Sequence, residues 1–84
     1  MRANRVVPNV PEIVRTRVLQ GKTQADVALA GALPRATVSR VERGFDATAP
    51  TAAGICKALG REFDDLFQIV SANGPADQAR EGVS

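Results

Sequence analysis

Residues 23–44 read TQADVALAGALPRATVSRVERG, and the spacing of this stretch decides the fold. It predicts two short helices joined by a tight turn. Thr23 is a good N-cap for the first helix, Gln24–Ala30, because its side-chain oxygen can accept a hydrogen bond from an N–H group of the first turn. Residues 31–33 form the predicted turn, and the second helix is predicted over residues 34–43.

These two helices have the side chains that a helix-turn-helix needs. Such a unit crosses its helices at ~90–120° over a turn of three or four residues, so a small side chain must lie at the crossing. Ala28 supplies it, and Leu33 closes the turn. Val38 and Val41 form the inward face of the second helix. The outward face then carries side chains that can contact DNA bases and phosphates, namely Arg35, Ala36, Thr37, Arg40 and Arg43.

The charge of the chain is divided between its two halves. Residues 1–44 carry eight basic and three acidic side chains, whereas residues 45–84 carry three basic and six acidic ones. A basic part beside an acidic part suits a protein of which one face meets a polyanion. The charge pattern therefore favours a polyanionic partner for the N-terminal half.

Composition excludes several classes of function. The 84 residues include no histidine and a single cysteine, Cys56, so imidazole catalysis, a zinc site and an internal disulfide are excluded. No set of side chains for a catalytic centre is present, and we expect no enzyme, metal site, cofactor or small-molecule ligand. The longest apolar run, residues 27–33, is far too short to span a bilayer, and residues 1–9 lack the apolar segment of a signal peptide. We therefore expect a cytoplasmic protein.

The rest of the chain is predicted to form three further helices between two irregular ends. The first helix is predicted to end at Gly21 and the fourth at Gly60. The short fifth helix is predicted to include Phe63, Leu66 and Phe67. No pattern indicates a strand. The prediction is an all-α, five-helix domain over residues 10–70, with a flexible arm over residues 1–9 and a disordered tail over residues 71–84.

The chain strongly resembles the phage repressor and Cro-type helix-turn-helix proteins, the XRE family, over about residues 10–68. The matching positions are Gly21, Thr23, Gln24, Ala28, Leu33, the run from Thr37 to Glu42, Gly44, Ala58, Leu59, Gly60, Asp65, Leu66 and Phe67. The resemblance implies a compact lambda-repressor-like domain that binds double-stranded DNA at a palindromic operator through the major groove, usually as a homodimer. We therefore expect a sequence-specific transcriptional regulator, similar to a phage repressor or Cro protein or to a restriction–modification controller.

One position in the turn departs from the family pattern. The family usually has glycine in the left-handed position that Ala32 occupies, and Gly31 stands one residue earlier. Either Ala32 takes the left-handed conformation, at a cost of roughly 1–2 kcal/mol, or the turn shifts to use Gly31. The sequence leaves both possibilities open.

The resemblance also implies roles for individual side chains. Arg17 and Glu42 occupy the positions of an ion pair that ties the first helix to the third. Base contacts are expected from Arg35, Ala36, Thr37 and Arg40. Phosphate contacts are expected from Lys22, Thr23, Gln24, Ser39 and Arg43, with Gln24 alternatively bracing the base-reading side chains. From their position alone, Arg2 and Arg5 either reach the DNA or belong to a frayed end.

A homodimer is expected because a single recognition helix buries little surface for tight operator binding. The C-terminal end of the domain has more apolar side chains than a core this small is expected to need. We predict that part of the set Phe63, Leu66 and Phe67, together with Ile69 and Val70, forms a two-fold contact.

Two alternative functions remain open. A DNA-binding antitoxin would carry a toxin-binding segment, and residues 71–84 are the part of the chain available for one. A helical protein-interaction module without DNA binding is the other alternative, although the arginine-rich outward face argues against it.

Overall fold

Five helices and two short strands form residues 4–71, the part of the chain that a computed structural model describes. In chain order the elements are β1 (Arg5–Pro8), α1 (Val10–Leu19), α2 (Gln24–Ala30), α3 (Arg35–Glu42), α4 (Ala49–Leu59), α5 (Phe63–Leu66) and β2 (Phe67–Val70). The five predicted helices are confirmed. No helix among these residues is long and apolar enough to cross a membrane. The start of the predicted arm (residues 1–3) and nearly all of the predicted tail (residues 72–84) lie outside the described residues.

Short polar side chains begin three of the helices. Thr23 Oγ1 accepts a hydrogen bond from the Asp26 N–H at 3.0 Å, and the Asp26 carboxylate accepts one from the Thr23 N–H at 2.8 Å. Hydrogen bonding to Thr23, chiefly to its backbone N–H, holds the pKa of Asp26 below its ordinary value. Asn9 and Thr48 cap α1 and α4 with their side chains. The predicted N-cap at Thr23 is confirmed.

The core lies where the five helices meet. Each helix contributes buried side chains, among them Ile13, Val27, Val38, Val41, Ala52, Ile55, Leu59 and Leu66. Burying an aliphatic side chain of this size contributes about 1.5–3 kcal/mol. The predicted inward residues of α3, Val38 and Val41, are confirmed, and their burial fixes which face of α3 remains in solvent.

A two-stranded antiparallel sheet corrects the prediction of an all-α fold without strands. β1 pairs with β2, with Arg5 opposite Val70 and Pro8 opposite Phe67. The prediction of a flexible arm is therefore wrong for residues 5–8, and the fifth helix ends just before Phe67. Each four-residue strand is too short to show a clear alternating pattern. Its backbone groups find their partners only in a distant part of the chain.

Two of the residues predicted for the dimer contact are buried within the single chain, so the prediction is wrong for them. Leu66 and Phe67 are buried in the core of the single chain, so they have almost no surface left for a second chain. Phe63 stacks on Phe67, with 5.6 Å between the ring centroids, and packs half-buried against the same core. Ile69 is 61 % exposed and Val70 is half-buried. The core therefore uses more of this apolar set than the sequence predicted.

The turn between α2 and α3 places Ala32 in the left-handed conformation, with φ 57°. Gly31 has an ordinary φ of −91° and is needed for a different reason. A Cβ atom at Gly31 would lie 2.6 Å from the carbonyl oxygen of Gly54 in α4, and one at Gly54 would lie 2.7 Å from that of Gly31. Glycine stands at position 31 because two backbones touch there, and the strain of the left-handed turn falls on Ala32.

Candidate nucleic-acid interface

The outer face of α3 carries the four residues for which base contacts are predicted. Arg35, Ala36 and Arg40 are exposed, and Thr37 is half-buried. The helix keeps this face outward because its two buried valines pack into the core on the other side. The arrangement leaves long donor side chains in solvent along one helix.

The arginines of α3 and its C-cap differ from the other described arginines in having no acidic partner. Within residues 4–71, ion pairs join Arg5 to Asp46, Arg15 to Glu12, Arg17 to Glu42, and Arg61 to both Glu12 and Asp65. Within that range, Arg35, Arg40 and Arg43 take part in none. Their positive charge is not cancelled locally, so α3 presents a basic surface that attracts polyanions.

An ion pair holds α3 against α1, as predicted. Arg17 Nε donates to Glu42 Oε2 at 2.6 Å, and Arg17 Nη2 donates to Glu42 Oε1 at 3.0 Å. The two side chains are only 16 % and 6 % exposed. Arg17 Nη1 also donates to the carbonyl oxygen of Lys22 at 2.9 Å. One guanidinium therefore ties α1, the loop that follows it and the C-terminal end of α3 together.

Gln24 joins this network at the start of α2. Its Nε2 donates to Glu42 Oε1 at 3.0 Å, so the amide lies against α3. This contact braces the ion-paired end of α3, although Glu42 is not one of the side chains predicted to read bases. Thr23, beside it, is exposed and caps α2. The other predicted phosphate contacts on this surface are the half-buried Ser39 and the exposed Arg43.

Lys22, for which a phosphate contact is predicted, lies against the C-terminal end of α4. Its Nζ donates to the carbonyl oxygen of Ala58 at 2.7 Å, and Gln20 Nε2 donates to that of Leu59 at 2.8 Å. Both carbonyls belong to the last turn of α4, where such groups lack helical partners and the helix dipole is negative. The Lys22 ammonium therefore caps α4, and its phosphate contact stays a prediction.

Phe45 is a part of this surface that was not predicted from the sequence. Its ring lies 4.6 Å from the Cζ atom of Arg40 and 5.5 Å from that of Arg43, measured to the ring centroid. Both distances are within the range of a cation–π contact. One sequence signal was available, since Phe45 is an aromatic residue directly after the glycine that ends an arginine-rich helix.

The N-terminal strand is anchored beside α3. Arg5 Nε and Nη2 donate to the two carboxylate oxygens of Asp46 at 2.8 and 3.1 Å, and Ala47 forms an isolated bridge with Val6. Hydrogen bonding to Arg5 lowers the pKa of Asp46. Arg5 is therefore occupied by the loop after α3, and the alternative that it is part of a frayed end is wrong. Arg2 lies outside the described residues.

Comparison with known families agrees with this geometry. Residues 13–66, more than half of the chain, match the helix-turn-helix family. The match begins within α1 and ends with α5, so it includes most of α1 and all of α2, α3, α4 and α5. Comparison with curated proteins and with solved structures gives no significant match.

Proposed function

Because the chain belongs to the Cro/C1-type helix-turn-helix (XRE) family of DNA-binding transcription regulators, we propose that α3 binds a specific operator through the major groove. The regulator is of the small autoregulatory kind, similar to a phage repressor or Cro protein or to a restriction–modification controller. Its partner is double-stranded DNA.

One observation carries this proposal. Every arginine of residues 4–71 outside α3 and its C-cap has a carboxylate partner, whereas Arg35, Arg40 and Arg43 have none. An arginine without an acidic partner can donate to guanine edges or to phosphate oxygens at no cost of breaking an ion pair. The helix that the family places in the groove is therefore the one that keeps its charge available.

The side chains of α3 divide between reading bases and holding phosphates. Arg35 stands at the start of the helix and Arg40 in its last turn, and we assign both to base edges, with Ala36 and Thr37 between them. Arg43 stands at the C-cap, where the helix leaves the groove, and we assign it to phosphate. Thr23 and Ser39 complete the phosphate contacts in this proposal, and Gln24 braces Glu42 at the end of α3.

Arginine-to-alanine variants test the division. Arg35→Ala or Arg40→Ala is expected to cost about 1–3 kcal/mol on the operator and little on random duplex. Arg43→Ala is expected to weaken binding to both and to reduce the slope of log affinity against log salt by about one. Titration of labelled duplexes at several salt concentrations measures these effects.

A matched control removes an arginine of equal charge from outside the interface. Arg15→Ala does so, since Arg15 is an exposed residue of α1. Its effect should be smaller than that of Arg43→Ala at every salt concentration. Equal losses on operator and random duplex for Arg35→Ala and Arg40→Ala would contradict the assignment of base reading to these residues.

We propose that the protein binds as a homodimer to an imperfect palindrome, with half-sites ~34 Å apart along the DNA. The apolar surface that supports this is the exposed Ile69 of β2, beside the half-buried Phe63 and Val70. Ile69→Glu places a charge in that contact and should give a monomer with weaker operator binding, because a buried unpaired charge is costly. Sedimentation of the protein, both free and bound to DNA, measures its oligomeric state. A wild-type protein that stays monomeric in both would contradict the proposal.

A further inference from the structure

Phe45 is brought back to α3 by the turn that ends the helix. Gly44 has φ 96°, a conformation that favours glycine, and the next backbone N–H, that of Phe45, donates to the carbonyl oxygen of Arg40 at 3.1 Å. The aromatic side chain is therefore held next to the last turn of α3. It remains 47 % exposed although it is one of the largest apolar side chains of the protein.

The ring lies against two cations at once. The Cζ atoms of Arg40 and Arg43 are 4.6 and 5.5 Å from its centroid. Guanidinium groups three residues apart on a helix repel each other. The negative electrostatic potential at the face of the aromatic ring attracts both cations, so Phe45 offsets this repulsion and restricts the two side chains to one region.

An aromatic ring holds an arginine without cancelling its charge, unlike a carboxylate. The residue that follows Phe45 is acidic. This residue, Asp46, lines the same surface pocket as Arg40. Both carboxylate oxygens of Asp46 are occupied by Arg5, at 2.8 and 3.1 Å. Arg40 therefore keeps the ring as its contact, and its full charge remains available to an anionic ligand.

We propose that Phe45 is a positioning residue for DNA binding, which holds the Arg40 guanidinium, and with it that of Arg43, in place before the DNA arrives. This inference rests on the proposed function. Restricting an arginine in advance reduces the ordering that binding must otherwise impose. A cation–π contact at an exposed site corresponds to about a two- to five-fold change in affinity.

Substitutions at position 45 in the full chain test the proposal, with the operator duplex as the probe. Phe45→Leu keeps an apolar side chain but removes the aromatic face, and should lower operator affinity about two- to five-fold. Phe45→Trp keeps the face and should bind as tightly as the wild type. The salt slope should be unchanged in both, because no charge is removed. Leu19→Ala, which trims an exposed apolar side chain of α1, is the control and should have no effect.

The Arg40→Ala background distinguishes positioning from direct contact. If Phe45 acts through Arg40, Phe45→Leu should lower operator affinity less than about two-fold in that background. An undiminished loss would show that the ring acts independently of Arg40, through Arg43 or by contacting DNA itself, and would overturn the proposal that it positions Arg40. Wild-type affinity for Phe45→Leu, with its unfolding transition unchanged, would also overturn it. If Arg40→Ala itself leaves operator affinity unchanged, the assignment of base reading to Arg40 fails instead.

Discussion

Replacing Glu42 with alanine is expected to lower the free energy of unfolding by about 3–5 kcal/mol. Glu42 is 6 % exposed and accepts hydrogen bonds from two nitrogens of Arg17 and from Gln24. Its removal leaves the Arg17 guanidinium, itself 16 % exposed, with its positive charge uncompensated. A domain of this size has about 5–15 kcal/mol of stability in total, so the loss is a large share.

Two further variants distinguish the effect of stranding a buried charge from the effect of losing an exposed ion pair. Arg15→Ala breaks the exposed pair with Glu12 and should cost less than about 1 kcal/mol. The double variant Arg17→Met/Glu42→Leu removes both charges and should be more stable than Glu42→Ala alone. Urea denaturation followed by circular dichroism measures all three. A loss for Glu42→Ala as small as that for Arg15→Ala would contradict the structural role of the pair.

Replacing Gly31 with alanine is expected to cost about 3 kcal/mol, the upper end of the usual range for overpacking. The added Cβ would lie 2.6 Å from the carbonyl oxygen and 2.9 Å from the carbonyl carbon of Gly54, and 3.2 Å from the carbonyl oxygen of Val27. All three are backbone atoms, so α2 and α4 must separate. In an ordinary position the same change stabilises by about 0.4–1 kcal/mol, and the clash reverses that sign.

Other glycines supply the controls for this effect. Gly60 has φ 66° and open space around an added Cβ, so Gly60→Ala should cost only the left-handed strain, about 1–2 kcal/mol. Gly54→Ala meets the same backbone contact as Gly31→Ala. The double variant should therefore cost less than the sum of the two single ones, because either change already separates the helices. Additive losses, or a neutral Gly31→Ala, would contradict the close approach.

Local signals in the sequence predicted much of the fold. The N-cap Thr23 and the terminating Gly60 act through bonds and dihedral angles within one or two turns, so their effects can be inferred from neighbouring residues. The ion pair of Arg17 and Glu42 is a long-range contact, and the family resemblance supplied it. The outward face of α3 followed from the spacing of its two valines.

Features that depend on distant partners were missed. Ala32 takes the left-handed conformation while Gly31 lies against Gly54, and no local pattern shows that contact. Lys22 caps α4 through Ala58, a partner far along the chain, although its charge beside the helix-turn-helix suggested a phosphate. The sheet was missed for the same reason, because each strand is short and is stabilised only by the other.

Selection of bound duplexes from a random pool tests most directly whether α3 reads a DNA sequence. The wild-type protein is predicted to enrich one palindromic sequence with half-sites about one turn apart. The Arg35→Ala/Arg40→Ala variant keeps Arg43 and should retain weak, salt-dependent binding without enriching that sequence. Enrichment of the same sequence by both proteins, or of none by the wild type, would contradict sequence reading by these two arginines.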